Sequence, residues 1–410
     1  MYMFKFFTKF YILSAILALF AQINTCYSQL ESSIELQNIY DDNPFPNDTL
    51  LPSYINYSTL SLAYYPDESL YGISYSGDFA LFNNFSNRHY TIQKLNFLYS
   101  IPFGEDFKNP TSEINIITSA NGRINKKDLS YYDYYQLSGY ADYEYYISEE
   151  SSFGFGYRAR YRNYPNYKDI IYLEHFLTSF YSTAFETQTA LSLGVDLGYK
   201  NYLSLDQGVI YDYLITFPNA KVRSNGNNRR IIKNRKTNLQ VVTPGVIYTD
   251  PNASLLRTNL RLSQSLAEKT GLSMTYMGQY LLKDGGTSII SGTVDLLGEK
   301  ELFDDPYSFT AQDFSIMLTQ ILFQDIKLQV SSFYTYKQYN YPSDLERSTS
   351  PDRQDTQYGL GFLLEKVFYT DSFLNQIGIS FQYIILENES NSKIFDYNSN
   401  SINFAISFGM

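Results

Sequence analysis

The chain has 410 residues, with 31 basic and 42 acidic side chains giving a formal net charge of −11, and it holds 42 Tyr and 30 Phe but no Trp. A composition of 44% hydrophobic and 18% charged residues excludes both a disordered chain and a bundle of membrane helices. One cysteine and two histidines rule out an intrachain disulfide framework and leave little for a metal centre, and the acidic balance gives nucleic acid no attraction.

Residues 1–28 open with Lys5 and Lys9, continue with an apolar run from Phe10 to Ala21 and end on the small Ser28. This is the three-part pattern of a secretory signal, and the run is too short to span a bilayer as a helix. Cleavage is expected after Ser28. A rival reading makes Cys26 a lipidated cysteine, but Ile23-Asn24-Thr25 fits a lipobox poorly because Thr25 is bulky at its last position.

From there to the end the dominant pattern is period two. Phe153, Phe155, Tyr157, Ala159 and Tyr161 alternate with Gly154, Gly156, Arg158 and Arg160. Leu191, Leu193, Val195 and Leu197 alternate with Ser192, Gly194 and Asp196, and Ile377, Ile379, Phe381, Tyr383 and Ile385 form a third such row. Successive side chains of a strand point to opposite faces, so each segment has one apolar and one polar face. The same reading predicts strands at 55–64, 70–82, 92–103, 111–120, 134–146, 152–164, 170–181, 186–203 and 207–217. It continues with 236–248, 255–265, 270–282, 311–321, 325–338, 357–368, 375–387 and 401–410. A weaker candidate lies at 31–40, inside an N-terminal segment 29–54 that precedes the main β region 55–410.

Tight junctions at 65–69, 147–151 and 266–269 alternate with longer polar loops at 121–133, 283–310, 339–356 and 387–400. Short turns on one side and long loops on the other are the asymmetry of an outer-membrane barrel. A soluble sandwich, propeller or solenoid also alternates, but it favours Val, Leu and Ile on the buried face. Here Tyr71, Tyr75, Tyr143, Tyr145, Tyr334 and Tyr336 load the apolar phase near strand ends, where an aromatic girdle meets lipid headgroups. The fold expected is an all-β, transmembrane, antiparallel up-and-down barrel of about 16–18 strands, even in number because single-chain bacterial barrels are. Adding 31–40 to the seventeen clear candidates gives 18 and losing or merging 207–217, where the rhythm stumbles, gives 16; 18 is favoured.

At the C-terminus Ile402, Phe404, Ile406, Phe408 and Met410 share one face against Asn403, Ala405, Ser407 and Gly409. This resembles the C-terminal recognition strand of bacterial outer-membrane β-barrel proteins, although members of that class usually end in an aromatic residue and this chain ends in Met410. The resemblance implies insertion by the barrel assembly machinery, an outer-membrane location and contact with outer-membrane lipid. The strand rhythm and closing strands are also similar to the barrel domains of surface-protein assembly factors, whose periplasmic helical repeats are missing here.

The polar phase would line the lumen. It carries Arg158, Arg160 and Arg162, then Arg257 and Arg261, together with Asp142, Glu144, Asp196, Lys200, Lys327 and Glu365. These side chains either draw anionic solutes along a basic stripe or pair with one another and fill the interior; equally plentiful acids favour pairing. There is no G-x-S-x-G, Walker A or H-E-x-x-H motif, so no catalytic residue, metal or cofactor is expected. His175 and Ser179 share an apolar face but stand about 13 Å apart along one strand, too far to act together. The basic loop 221–236 reads as solvated, and Asp304-Asp305 lacks the spaced oxygen ligands of a calcium loop. Passage of solutes or lipids is the leading function, with a structural or secretion-accessory barrel acting through loops and unidentified protein partners as the alternative, and an outer-membrane hydrolase third.

Overall fold

The computed structural model describes residues 30–44, 51–66, 70–104, 110–166, 171–203, 252–283, 305–342, 351–371 and 374–410, with the backbone of 211–218, 232–233 and 238–245. The signal segment, Cys26 and nearly all of the basic loop 221–236 lie outside the described residues. The first nine strands are β1 (Leu30–Asp41), β2 (Ser53–Tyr64), β3 (Tyr71–Phe82), β4 (Tyr90–Phe103), β5 (Ser112–Asn125), β6 (Tyr134–Ser148), β7 (Ser151–Asn163), β8 (Tyr172–Phe185) and β9 (Thr189–Tyr202). Three short strands follow, β10 (Tyr211–Pro218), β11 (Ile232–Lys233) and β12 (Asn238–Gly245). The last seven are β13 (Ala253–Ala267), β14 (Thr270–Lys283), β15 (Phe309–Ile321), β16 (Lys327–Pro342), β17 (Asp352–Tyr369), β18 (Gln376–Ser390) and β19 (Tyr397–Gly409).

Sixteen of these close into one antiparallel up-and-down barrel, in the order β1 to β9 and then β13 to β19. Closure is made by β1 on β19, from Ser33 opposite Gly409 to Asp41 opposite Ser401, and Ser32 and Met410 exchange backbone hydrogen bonds of 3.1 and 2.9 Å. The barrel ladder has no open edge, as a bilayer interior demands. The expectation of 18 strands is corrected. The weak segment 31–40 is a full barrel strand, but neither 207–217 nor 236–248 joins the barrel. Their central residues form β10 and β12, which pair with each other and with β11 in a separate three-stranded sheet. The barrel ladder passes directly from β9 to β13, with Leu193 opposite Leu260 and Lys200 opposite Ala253. Alternation marks a segment that can be a strand; it does not say which sheet the strand enters.

Connections at one end of the barrel are tight, as at 149–150, 186–188 and 268–269, while those at the other end include 42–52, 126–133, 203–252 and 284–308. In β9 the outward row Leu193, Val195, Leu197 and Tyr199 is exposed. Tyr71, Tyr143, Tyr145 and Tyr334 are exposed in the same way on their own strands. The inner face is graded. At the loop end inward side chains such as Ile55, Phe82, Tyr90, Arg123, Tyr172, Lys200, Tyr339 and Asp355 are buried. Further down β9 the inward positions open up, and Ser192 is exposed. The inner wall is packed where the loops emerge and more exposed toward the short turns on β9.

Candidate functional site in the lumen

The packed end of the lumen is built on β6 to β9, β13 and β14. Register places Arg158, Arg160 and Arg162 of β7 opposite Phe176, Glu174 and Tyr172 of β8, and Glu174 opposite Lys200 of β9. Residues opposite one another share a face, so these side chains form one inner surface. Arg160 pairs with Glu174, and Arg162 donates to Gln136 Oε1 through Nε at 2.8 Å and Nη2 at 2.6 Å and to the Tyr164 hydroxyl at 3.2 Å. The Arg162 guanidinium also stacks over Tyr134, 4.3 Å from the ring centre.

The turn after the loop 284–304 folds onto this surface. Asp305 accepts the Lys200 ammonium at 2.7 Å and the Tyr202 hydroxyl on Oδ2, while its Oδ1 takes the Tyr307 N–H at 3.1 Å and caps a single 3-10 turn, Pro306–Ser308. Gln279 Nε2 holds the turn from below, donating to the carbonyls of Pro306 at 2.7 Å and Phe309 at 3.0 Å. Tyr307 packs against Phe176 with ring centres 6.4 Å apart, and its hydroxyl lies over Gly198, where an added Cβ would come within 2.8 Å. A side chain at 198 would therefore displace the turn. Burial pushes the Tyr307 phenol well above its usual range, and the Glu174 and Asp305 charges add to the shift. Lys200 sits 4.1 Å from the Tyr172 ring centre and 4.8 Å from that of Tyr202, so its ammonium is enclosed by aromatic faces as well as by the carboxylate. The same pairing of cation and ring recurs around the loop end, with Arg123 over Tyr90 at 3.8 Å, Lys337 over Phe309 at 4.7 Å and Arg353 over Tyr339 at 4.1 Å.

Below this layer, on β7 and β13, the arginines are not ion-paired. Arg158 lies over the Phe176 ring at 4.5 Å, Arg257 donates to Gln279 Oε1 at 2.8 Å and Arg261 to Ser273 Oγ at 3.3 Å. Among the described residues none of the three makes an ion pair, although Asp196 stands directly across the ladder from Arg257. On the neighbouring strands Glu113 is opposite Glu144, and Asn115 Nδ2 donates to Glu113 at 2.9 Å and to Asp142 at 3.4 Å. Lys327 and Glu365 pair with each other near the short-turn end of β16 and β17. The structure thus joins Arg160 and Arg162 to a packed layer, leaves Arg158, Arg257 and Arg261 on the open wall, and sets Asp142 and Glu144 on β6, the strand next to that of Arg158.

Sequence reasoning passed over Glu174, Tyr307 and Gln279. On β8 aromatic and aliphatic side chains occupy both faces, so the strand's phase is ambiguous there. Asp305 entered only as half of a weak acidic pair; the Asp-Pro start of a one-turn helix was the signal that could have located the turn. His175, on the outer face, hydrogen-bonds the Tyr157 hydroxyl at 2.6 Å and stacks between Tyr157 and Tyr199.

A closed, even-stranded antiparallel barrel with an apolar exterior, a polar inner wall and long connections at one end is an outer-membrane β-barrel. The chain is similar to solved structures of OccAB3 from Acinetobacter baumannii (10% identity, covering 94% of this chain and 100% of that one, TM-score 0.45) and OprD from Pseudomonas aeruginosa (10%, 93% and 95%, 0.44). It is similar also to OccK2 (OpdF) from Pseudomonas aeruginosa in complex with glucuronate (12%, 93% and 98%, 0.43). The class rests on the barrel's own geometry. No protein-family model matches the chain, and no curated protein matches it.

Proposed function

We propose that this protein spans an outer membrane and lets small polar solutes through its lumen, with a preference for anions. The observation that carries this reading is the wall formed by Arg158, Arg257 and Arg261. These three cations lie on one side of the lumen below the packed layer, and none of them makes an ion pair among the described residues, although Asp196 stands across the ladder from Arg257. A guanidinium on the lumen wall raises the local concentration of anions and offers them paired N–H donors. Bilayer lipid surrounds the barrel in this reading, and the barrel assembly machinery inserts it.

Planar-bilayer recording with the full-length mature protein tests the proposal. A steady open conductance is expected, with a reversal potential under a KCl gradient that reports anion preference. Replacing both Arg257 and Arg261 with glutamate should shift that potential toward cations. A correctly inserted but electrically silent barrel would instead favour a scaffold that works through its loops, and an unchanged potential in the double variant would remove the arginine wall from the account.

A further inference from the structure

The outer surface carries a second feature that the lumen does not explain. Across five strands the outward positions form rows. Leu260 on β13, Tyr276 on β14, Phe314 on β15, Tyr334 on β16 and Tyr358 on β17 stand in register. The next row toward the short turns is Leu262, Met274, Ile316, Ser332 and Leu360. Ser332 is the one small side chain in that row, and it leaves room beside Ile316 and Tyr334. The result is a groove of about 440 Å³, bordered by Leu262, Met274, Phe314, Ile316 and Tyr334. That is the size of a small-ligand site, about 300–1,000 Å³.

At the loop-side edge of the groove the surface turns polar. The Tyr276 hydroxyl donates to Gln312 Oε1 at 2.5 Å and lies 3.3 Å from the Tyr280 hydroxyl, and Gln312 Nε2 donates to Tyr280 at 3.3 Å. Tyr276 can reach upward because Gly278 leaves the space clear; a Cβ there would meet its hydroxyl at 2.9 Å. An amide and two phenols on an outward face, directly above an apolar slot, match the change from hydrocarbon to ester and headgroup in a bilayer leaflet.

We infer that this groove is a binding site for a bilayer lipid, one acyl chain lying along Phe314, Ile316 and the Ser332 notch with its ester oxygens at the Tyr276–Gln312–Tyr280 cluster. The inference rests on the reading of the barrel as membrane-spanning. Hydrocarbon is the occupant the geometry selects, because the slot faces away from the lumen, is lined by aliphatic and aromatic carbon, and lies between the middle and the short-turn end of its strands. A flexible chain fills a notch that flat neighbouring lipid would leave empty, and the lining then gains the dispersion contacts a void forfeits.

Because the protein has no tryptophan, a single introduced one reports its own surroundings. Met274→Trp places the probe in the groove, and Leu193→Trp places one on the outward face of β9, an equal four residues from the short-turn end of its strand. Both are reconstituted in phosphatidylcholine vesicles in which part of the lipid carries dibrominated acyl chains. Both should be quenched, Met274→Trp the more strongly, and adding Ser332→Phe should bring it down to the level of Leu193→Trp. In parallel, native mass spectrometry of the detergent-extracted barrel should find retained phosphatidylcholine in the otherwise unaltered chain, lost in Ser332→Phe and kept in Thr118→Phe on β5. Equal quenching at the two probes, or equal lipid retention in the two phenylalanine variants, would overturn the groove. Failure of Leu193→Trp to be quenched at all would instead overturn the membrane-spanning reading.

Discussion

Replacing Asp305 with alanine should detach the 305–308 turn from the lumen wall and leave the barrel closed. The Lys200 and Asp305 side chains are only 2% and 6% exposed, and their charged atoms are 2.7 Å apart. Removing one member of such a buried pair leaves the other without a counter-charge, at a cost of about 3–5 kcal/mol. The lost cap on the Tyr307 N–H adds about 1 kcal/mol. What would still hold the turn includes the two Gln279 hydrogen bonds, at about 1 kcal/mol each. The aromatic rings around Lys200 are present before and after the change and offset none of it. The β9–β13 ladder loses no backbone bond, so the cost falls on local opening and not on the barrel. Amide hydrogen exchange followed by mass spectrometry should therefore show Tyr307 and Ser308 losing protection while β9 and β13 keep theirs. Single-channel current should become larger or noisier as the packed layer loosens. Combining Asp305→Ala with Lys200→Met removes both charges and should recover much of the protection, since replacing both partners is far milder than orphaning one. Wild-type exchange at 307–308 in Asp305→Ala, or a double variant no better protected than the single, would refute the reasoning.

Arginine at outward Leu193 should cost about 2–4 kcal/mol if that position lies near the bilayer midplane, and the same change at inward Ser192 should cost far less in a lipid-vesicle folding titration. Deleting 401–410, or replacing outward Phe408 with aspartate, should abolish insertion as read by heat-modifiable gel migration, because β19 pairs with both β18 and β1; Met410→Phe should be neutral or helpful. His89, beside the loop after β3, accepts the Phe82 N–H at Nδ1 (3.1 Å), and burial, with Lys126 nearby, holds its imidazole below the ordinary value. The folded state therefore prefers the neutral ring, and its contribution is present above about pH 6.5 and lost as pH falls through the lowered value. Limited proteolysis of 83–89 should accelerate on acidification in the native chain but not in His89→Gln.

The sequence by itself determined the strands and their faces. Alternation of Leu191, Leu193, Val195 and Leu197 with Ser192, Gly194 and Asp196 requires one wet and one apolar surface, because a pleated strand sends neighbours to opposite sides. It located every barrel strand, though 31–40 only weakly, since Ile34 and Leu36 are a sparse signal. Strand number was decided by the tertiary structure. Segment 207–217 alternates less cleanly, with Ile210 and Leu214 on its polar phase, and it pairs with 236–248 and leaves β9 to meet β13; closure is a property of the whole ring that no single segment encodes. The candidate site divides along the same line. Arg158, Arg257 and Arg261 could be placed on the inner wall from their spacing alone. Which cations are neutralised could not, because the deciding partners come from elsewhere in the chain: Glu174 reaches Arg160 across a hairpin, and Asp305 returns from a long loop to Lys200. Local periodicity fixes the direction of a side chain, whereas the field it experiences is set by what the fold brings opposite to it.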